Sequence, residues 1–129
     1  MLFIFFVLPF FLVNAELDSA VEAAFKQLNK KYNPKIKWST ELEQRALEYL
    51  KSPNSVKVDM VIKGKKNYPK NNPSHIGVKL YAAFRDTIRA KKDEVTALNE
   101  ASQYGCNIIL NNGLKKREIL RYACLYDKN

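Results

Sequence analysis

The sequence predicts a single α+β domain with three to four helices and a small antiparallel sheet. Three observations carry this. Apolar residues recur at three- and four-residue steps over 19–31, 39–50 and 74–91, the period of a helix with one buried face. They alternate at two-residue steps over 56–62, the period of a half-buried strand. Two more strand-like runs, 104–110 and 119–126, flank Asn111-Asn112-Gly113, a strong turn signal.

The first helix spans Ser19 to Lys31. Leu17, Val21, Phe25, Leu28 and Tyr32 mark its apolar stripe, Ser19 and Glu22 have capping-box spacing, and Asn33-Pro34 stops it. The second starts near Ser39, where Thr40 and Glu43 repeat that spacing. Leu42, Ala46, Tyr49 and Leu50 form its buried side, and Ser52-Pro53-Asn54 ends it. Trp38, just before it, can close the start of the helix against the core.

Val56, Val58, Met60 and Ile62 share one face of the predicted strand. Gly64 to Pro73 reads as an exposed basic loop, rich in Asn and Pro. Ile76, Leu80, Phe84 and Ile88 set the third helix, 74–91, and a short fourth follows over 93–101. If Cys106 and Cys124 face each other, the closing hairpin centres near Lys115. That requires either a loop longer than the Asn112-Gly113 turn or a bulge.

The compartment is read from residues 1–15. Leu2 to Val13 is apolar, too short for the roughly 20 residues that span a bilayer, and ends in Val13-Asn14-Ala15. A signal peptide cleaved after Ala15 is expected, leaving 16–129 as one secreted, extracellular domain with no transmembrane segment. A single domain of that size can bury its own core, and a monomer is expected.

All 22 Lys and Arg and all 13 acids lie beyond Ala15, so the net charge of +9 belongs to the mature domain. Such a balance favours acidic partners. The densest cluster, Lys63, Lys65, Lys66 and Lys70, is the candidate basic contact surface. No nucleic-acid motif is recognisable, and nucleic acid is not an expected partner. The expected ligand is an unidentified protein, a lipid or an anionic glycan. The two cysteines of a secreted chain are expected to pair, Cys106 with Cys124.

Catalytic chemistry finds little material. The single histidine, His75, sits at a helix start, so a two-histidine acid/base pair is impossible. Zinc sites need three or four His and Cys ligands, and the supply is one His and two Cys that are expected to pair with each other; calcium sites need clustered carboxylates, and the sequence has no Asp/Glu-rich loop. Glu41, Glu43, Glu48, Asp93 and Glu94 read as solvated partners of nearby bases. Asn72-Pro73-Ser74 is no glycosylation site, because proline blocks it. No enzyme, cofactor or metal is expected.

Two segments carry a resemblance. Ile36-Lys37-Trp38 leading into Ser39 to Leu50, and Gly105-Cys106 followed by Tyr122-Ala123-Cys124-Leu125-Tyr126, resemble the CAP superfamily of secreted cysteine-rich, antigen-5 and pathogenesis-related proteins. The resemblance implies an α-β-α sandwich, in agreement with the element order above. The chain is most similar to short, degenerate members of nematode type. The family's cleft of two histidines and two glutamates has no counterpart: Lys92 stands where the second histidine would be, and the first-helix region has no histidine. Ala24 to Asn33, in a basic domain of this length, resembles more weakly the helix ending in Tyr-Asn of a cystatin-like inhibitor, but the Gln-x-Val-x-Gly loop is missing and the second helix, Ser39 to Leu50, has no place in that fold. The expected function is therefore non-catalytic binding through a basic surface. The alternatives are a cationic defence protein acting on membranes or anionic glycans, and a protease inhibitor.

Overall fold

The computed structural model describes residues 17–70, 72–112 and 117–128, so the predicted signal peptide and its cleavage site lie outside the described residues. Among the described residues four helices and four strands follow in the order α1 (Ser19–Tyr32), β1 (Lys37–Trp38), α2 (Thr40–Lys51), β2 (Met60–Pro69), α3 (Ile76–Ala90), α4 (Lys92–Thr96), β3 (Gln103–Asn112) and β4 (Arg117–Asp127). A short 3-10 turn, Pro53–Ser55, follows α2. The class is α+β as predicted.

The sheet order is β1-β3-β4-β2. β3, β4 and β2 are antiparallel, but β1 runs parallel to β3, pairing Lys37 with Gln103 and Trp38 with Tyr104, so the sheet is mixed. Alternation along the strands splits it into two faces. Ile62, Tyr104, Cys106, Leu120, Tyr122, Cys124 and Tyr126 point to one side, where α1, α3 and α4 bring Val21, Phe25, Leu28, Leu80, Phe84, Ile88 and Val95. Leu125 points to the other, against Leu42 and Ala46 of α2 and against Val56. Burying each large apolar side chain is worth about 1.5–3 kcal/mol, so the three-helix face dominates the core.

Several boundaries differ from the sequence reading. Asp18, not Ser19, caps α1, its Oδ1 accepting from the amides of Ala20 (2.8 Å) and Val21 (3.2 Å). Ser39, not Thr40, caps α2, its Oγ accepting from the Leu42 amide. α4 is one turn, ending at Thr96 rather than Ala101. The strand predicted over 56–62 begins at Met60 and continues through the predicted loop to Pro69. The loop composition is overridden by β4, whose backbone pairs with every residue from Met60 to Pro69. In the hairpin the register runs unbroken from Cys106 opposite Cys124 to Asn112 opposite Glu118, which excludes both a bulge between those pairs and a two-residue Asn112-Gly113 turn. Residues 113–116 lie outside the described residues.

Cys106 and Cys124 are joined (S–S 2.04 Å) in the buried three-helix face. The bond ties the central strands β3 and β4 directly beneath α1, where Asn29 Nδ2 lies 3.9 Å from Cys124 Sγ. On the opposite face, Gly105 lets α2 come close. A Cβ there would lie 2.2 Å from the Glu43 amide nitrogen. Asn107 Nδ2 then donates to the Glu43 carbonyl at 3.0 Å, fixing the helix on the strand.

Candidate functional site

Of the four lysines singled out by sequence, Lys63, Lys65 and Lys66 lie on β2 and Lys70 just past its end; all four are exposed. β2 is an outer strand, hydrogen-bonded only to β4. The lysines are not one patch, because strand geometry turns successive side chains to opposite faces. Lys63 and Lys65 share the α2 face with Val61, whereas Lys66 alternates to the side of Ile62 and Tyr68.

The cations that complete the α2 face come from β4 and were not singled out. Arg121 sits directly across the ladder from Lys65, and Arg117 across from Pro69. Arg121 Nη2 donates to the Leu50 carbonyl at 2.7 Å, using one of the orphan acceptors at the end of α2. Lys63 Nζ lies 5.7 Å from the centroid of the Tyr49 ring. Tyr49, Leu50, Pro53, Lys63, Lys65 and Arg121 line a groove of about 310 Å³ between the end of α2 and β2. Nothing local in the sequence marks Arg121, because its neighbourhood depends on the β2–β4 register.

The electrostatics of this face are one-sided. Like charges directly opposite in an antiparallel pair are destabilising, by roughly the 0.2–1 kcal/mol that an opposite-charge pair contributes. Lys65 and Arg121 are such a pair. Among the described residues none of Lys63, Lys65, Lys66, Lys70, Arg117 or Arg121 takes part in an ion pair. Glu118, a carboxylate of β4, turns to the other face and binds Lys79 Nζ at 3.0 Å.

The remaining candidates have structural surroundings. His75 caps α3, its Nδ1 accepting from the Gly77 amide at 3.0 Å. Glu41, Glu48, Asp93 and Glu94 are exposed. Glu43 departs from the expected solvated role: it is buried and accepts from Trp38 Nε1 at 3.1 Å. Burial raises its pKa above the ordinary 4.5, against the lowering effect of the Trp38 hydrogen bond. Beside it Lys26 pairs with Glu22 at 2.6 Å and lies 5.2 Å from the Trp38 ring centroid. Among the described residues no three His, Cys, Asp or Glu side chains converge as metal ligands, and no helix is long and apolar enough to cross a membrane.

A sheet with α2 on one face and three helices on the other defines a three-layer α-β-α protein. That fold is shared with a solved structure, manganese-bound Ac-ASP-7, at 19% identity and a TM-score of 0.52, over 73% of this chain and 50% of that one. The chain thus spans half the length of the protein it resembles in fold. It belongs to the 15 kDa excretory/secretory protein family, whose sequence profile matches residues 24–128. No curated protein matches the chain.

Proposed function

We propose that this is a secreted, non-catalytic binding protein that engages a polyanionic extracellular partner through the α2 face of its sheet. The observation that carries this reading is the Lys65–Arg121 cross-strand pair, flanked by Lys63 and Arg117 and lacking a carboxylate partner among the described residues. A like-charge pair at that position costs folding stability. An anion bridging the two cations removes the cost, so the arrangement suits ligand binding better than it suits the fold. Membership of an excretory/secretory family and the apolar leader over 2–13 support an extracellular setting. The three-layer fold, with Trp38 before α2 and the Cys106–Cys124 hairpin, supports reading the chain as a short, degenerate CAP-like protein.

The test is retention on immobilised heparin in a salt gradient. Lys63→Gln/Lys65→Gln is compared with Lys30→Gln/Lys92→Gln, a charge-matched pair of exposed lysines on the three-helix side. The first pair should elute at clearly lower salt. Equal elution would mean that only total charge matters, and would remove the site. Retention of the protein by anionic vesicles but not by heparin would transfer the reading to a membrane-acting cationic protein.

A further inference from the structure

We infer that the groove between the end of α2 and β2 is a subsite for one sulfate ester carried on a sugar ring, with the sulfate held between Lys65 and Arg121. This rests on the reading of the basic face given above and names its ligand.

Three features of the groove select that ligand. The first is spacing. Residues directly opposite in an antiparallel ladder have Cβ atoms about 4.5–5.5 Å apart, so the long Lys65 and Arg121 side chains can converge on a single oxyanion. Arg121 is already anchored through Nη2 to the Leu50 carbonyl. Its guanidinium carries five N–H donors in a fixed fork, so donors remain for a ligand oxygen.

The second is shape. At about 310 Å³ the groove is at the lower end of small-ligand sites, which run from roughly 300 to 1,000 Å³. That is room for one sugar ring. The third is the wall. Leu50, Pro53 and Tyr49 line an apolar surface against which the C–H face of a sugar can lie, and Lys63 Nζ, which stands over the Tyr49 ring 5.7 Å from its centroid, is a third cation at its edge. A bare inorganic anion would leave this wall unused.

Sulfate and phosphate esters offer similar oxygens. A secreted chain meets sulfated glycans, whereas anionic lipid headgroups are concentrated on the cytoplasmic leaflet. The sulfated saccharide is therefore the assigned source.

The experiment is an NMR titration of the labelled protein with a trisulfated heparin disaccharide. Its desulfated counterpart and inositol trisphosphate serve as the other arms. The sulfated disaccharide should shift the amides of Tyr49, Lys65 and Arg121. Lys65→Gln, an exposed substitution that also relieves the repulsion of Arg121, should weaken it at least tenfold without lowering the melting temperature. Tyr49→Ala should weaken it while Tyr49→Phe does not, and the desulfated disaccharide should not bind. Shifts confined to α1 or α4, or a Lys65→Gln affinity equal to wild type, would overturn the subsite. Tighter binding of inositol trisphosphate would overturn the choice of a sulfated sugar. If polymeric heparin binds through Lys63 and Lys65 while the disaccharide does not, the basic face stands and the subsite falls. If neither binds, both readings fall.

Discussion

Replacing Gly105 by alanine is the perturbation whose cost the structure specifies most closely. An added Cβ would lie 2.2 Å from the Glu43 nitrogen, 2.5 Å from the Leu42 carbonyl carbon and 2.7 Å from the Ser39 carbonyl oxygen, all backbone atoms at the start of α2. No rotamer can relieve contacts with backbone. To bring the closest contact from 2.2 Å to an ordinary 3.4 Å, α2 must recede by about 1.2 Å. That movement stretches the Asn107–Glu43 carbonyl bond (3.0 Å) and the Ser39 amide–Tyr104 carbonyl bond (2.7 Å). It also loosens Leu42 and Ala46 on Leu125.

Overpacking of this kind costs about 1–3 kcal/mol, and each weakened hydrogen bond about 1 kcal/mol. With two bonds weakened, the total of about 3–5 kcal/mol should lower the melting temperature by on the order of 10–20 °C for a domain of this size. The sign is diagnostic, because Gly→Ala at an uncrowded position stabilises by about 0.4–1 kcal/mol through the unfolded chain. Thermal and urea melts followed by circular dichroism measure it. A variant as stable as wild type, or more so, would refute the close approach of α2 to β3.

Three further outcomes follow from the same geometry. Cys106→Ser opens the bridge across a separation of 18 residues and should lower stability by roughly 2–5 kcal/mol in urea melts, with no change if the thiols are not joined. Glu43 has a folded pKa above its ordinary 4.5, so the native state holds the extra proton and stability falls as pH rises through the window above 4.5. Glu43→Gln keeps an acceptor for Trp38 Nε1 and should flatten that fall, which melting temperatures between pH 4 and 7 will report; an unchanged slope would show that Glu43 is not its source. Lys65→Glu converts a repulsive cross-strand pair with Arg121 into an attractive one and should stabilise the fold by up to about 1 kcal/mol at low salt while weakening heparin retention, and a loss of stability would show that the two side chains do not face each other.

The helices were readable because their signals are local. Val21, Phe25 and Leu28 sit on one face of α1 by spacing alone, and Asn33-Pro34 stops it within the same stretch. Their caps were misplaced by one residue, since Asp18 and Ser39 compete with equally good neighbours. The bridge was readable from cysteine number and compartment. β2 was not: Gly64 to Pro69 has loop composition and becomes a strand because β4 offers it a full ladder, a tertiary effect. β1 has two residues, too few for any periodicity. The candidate site was half legible for the same reason. Lysine density marks β2, but the partition of Lys65 from Lys66 and the placing of Arg121 beside Lys65 follow from register. Glu43 looked like a solvated helix carboxylate and is buried, because Trp38 of β1 closes over it.

The most direct test of the basic face uses the unaltered protein. Exposed lysines are acetylated with and without saturating heparin, and each site is quantified by mass spectrometry. The account predicts protection of Lys63 and Lys65 on the α2 face, with Lys30 and Lys92 on the opposite side remaining as reactive as in the free protein. Uniform protection of all four lysines, or protection of Lys30 and Lys92 alone, would contradict it.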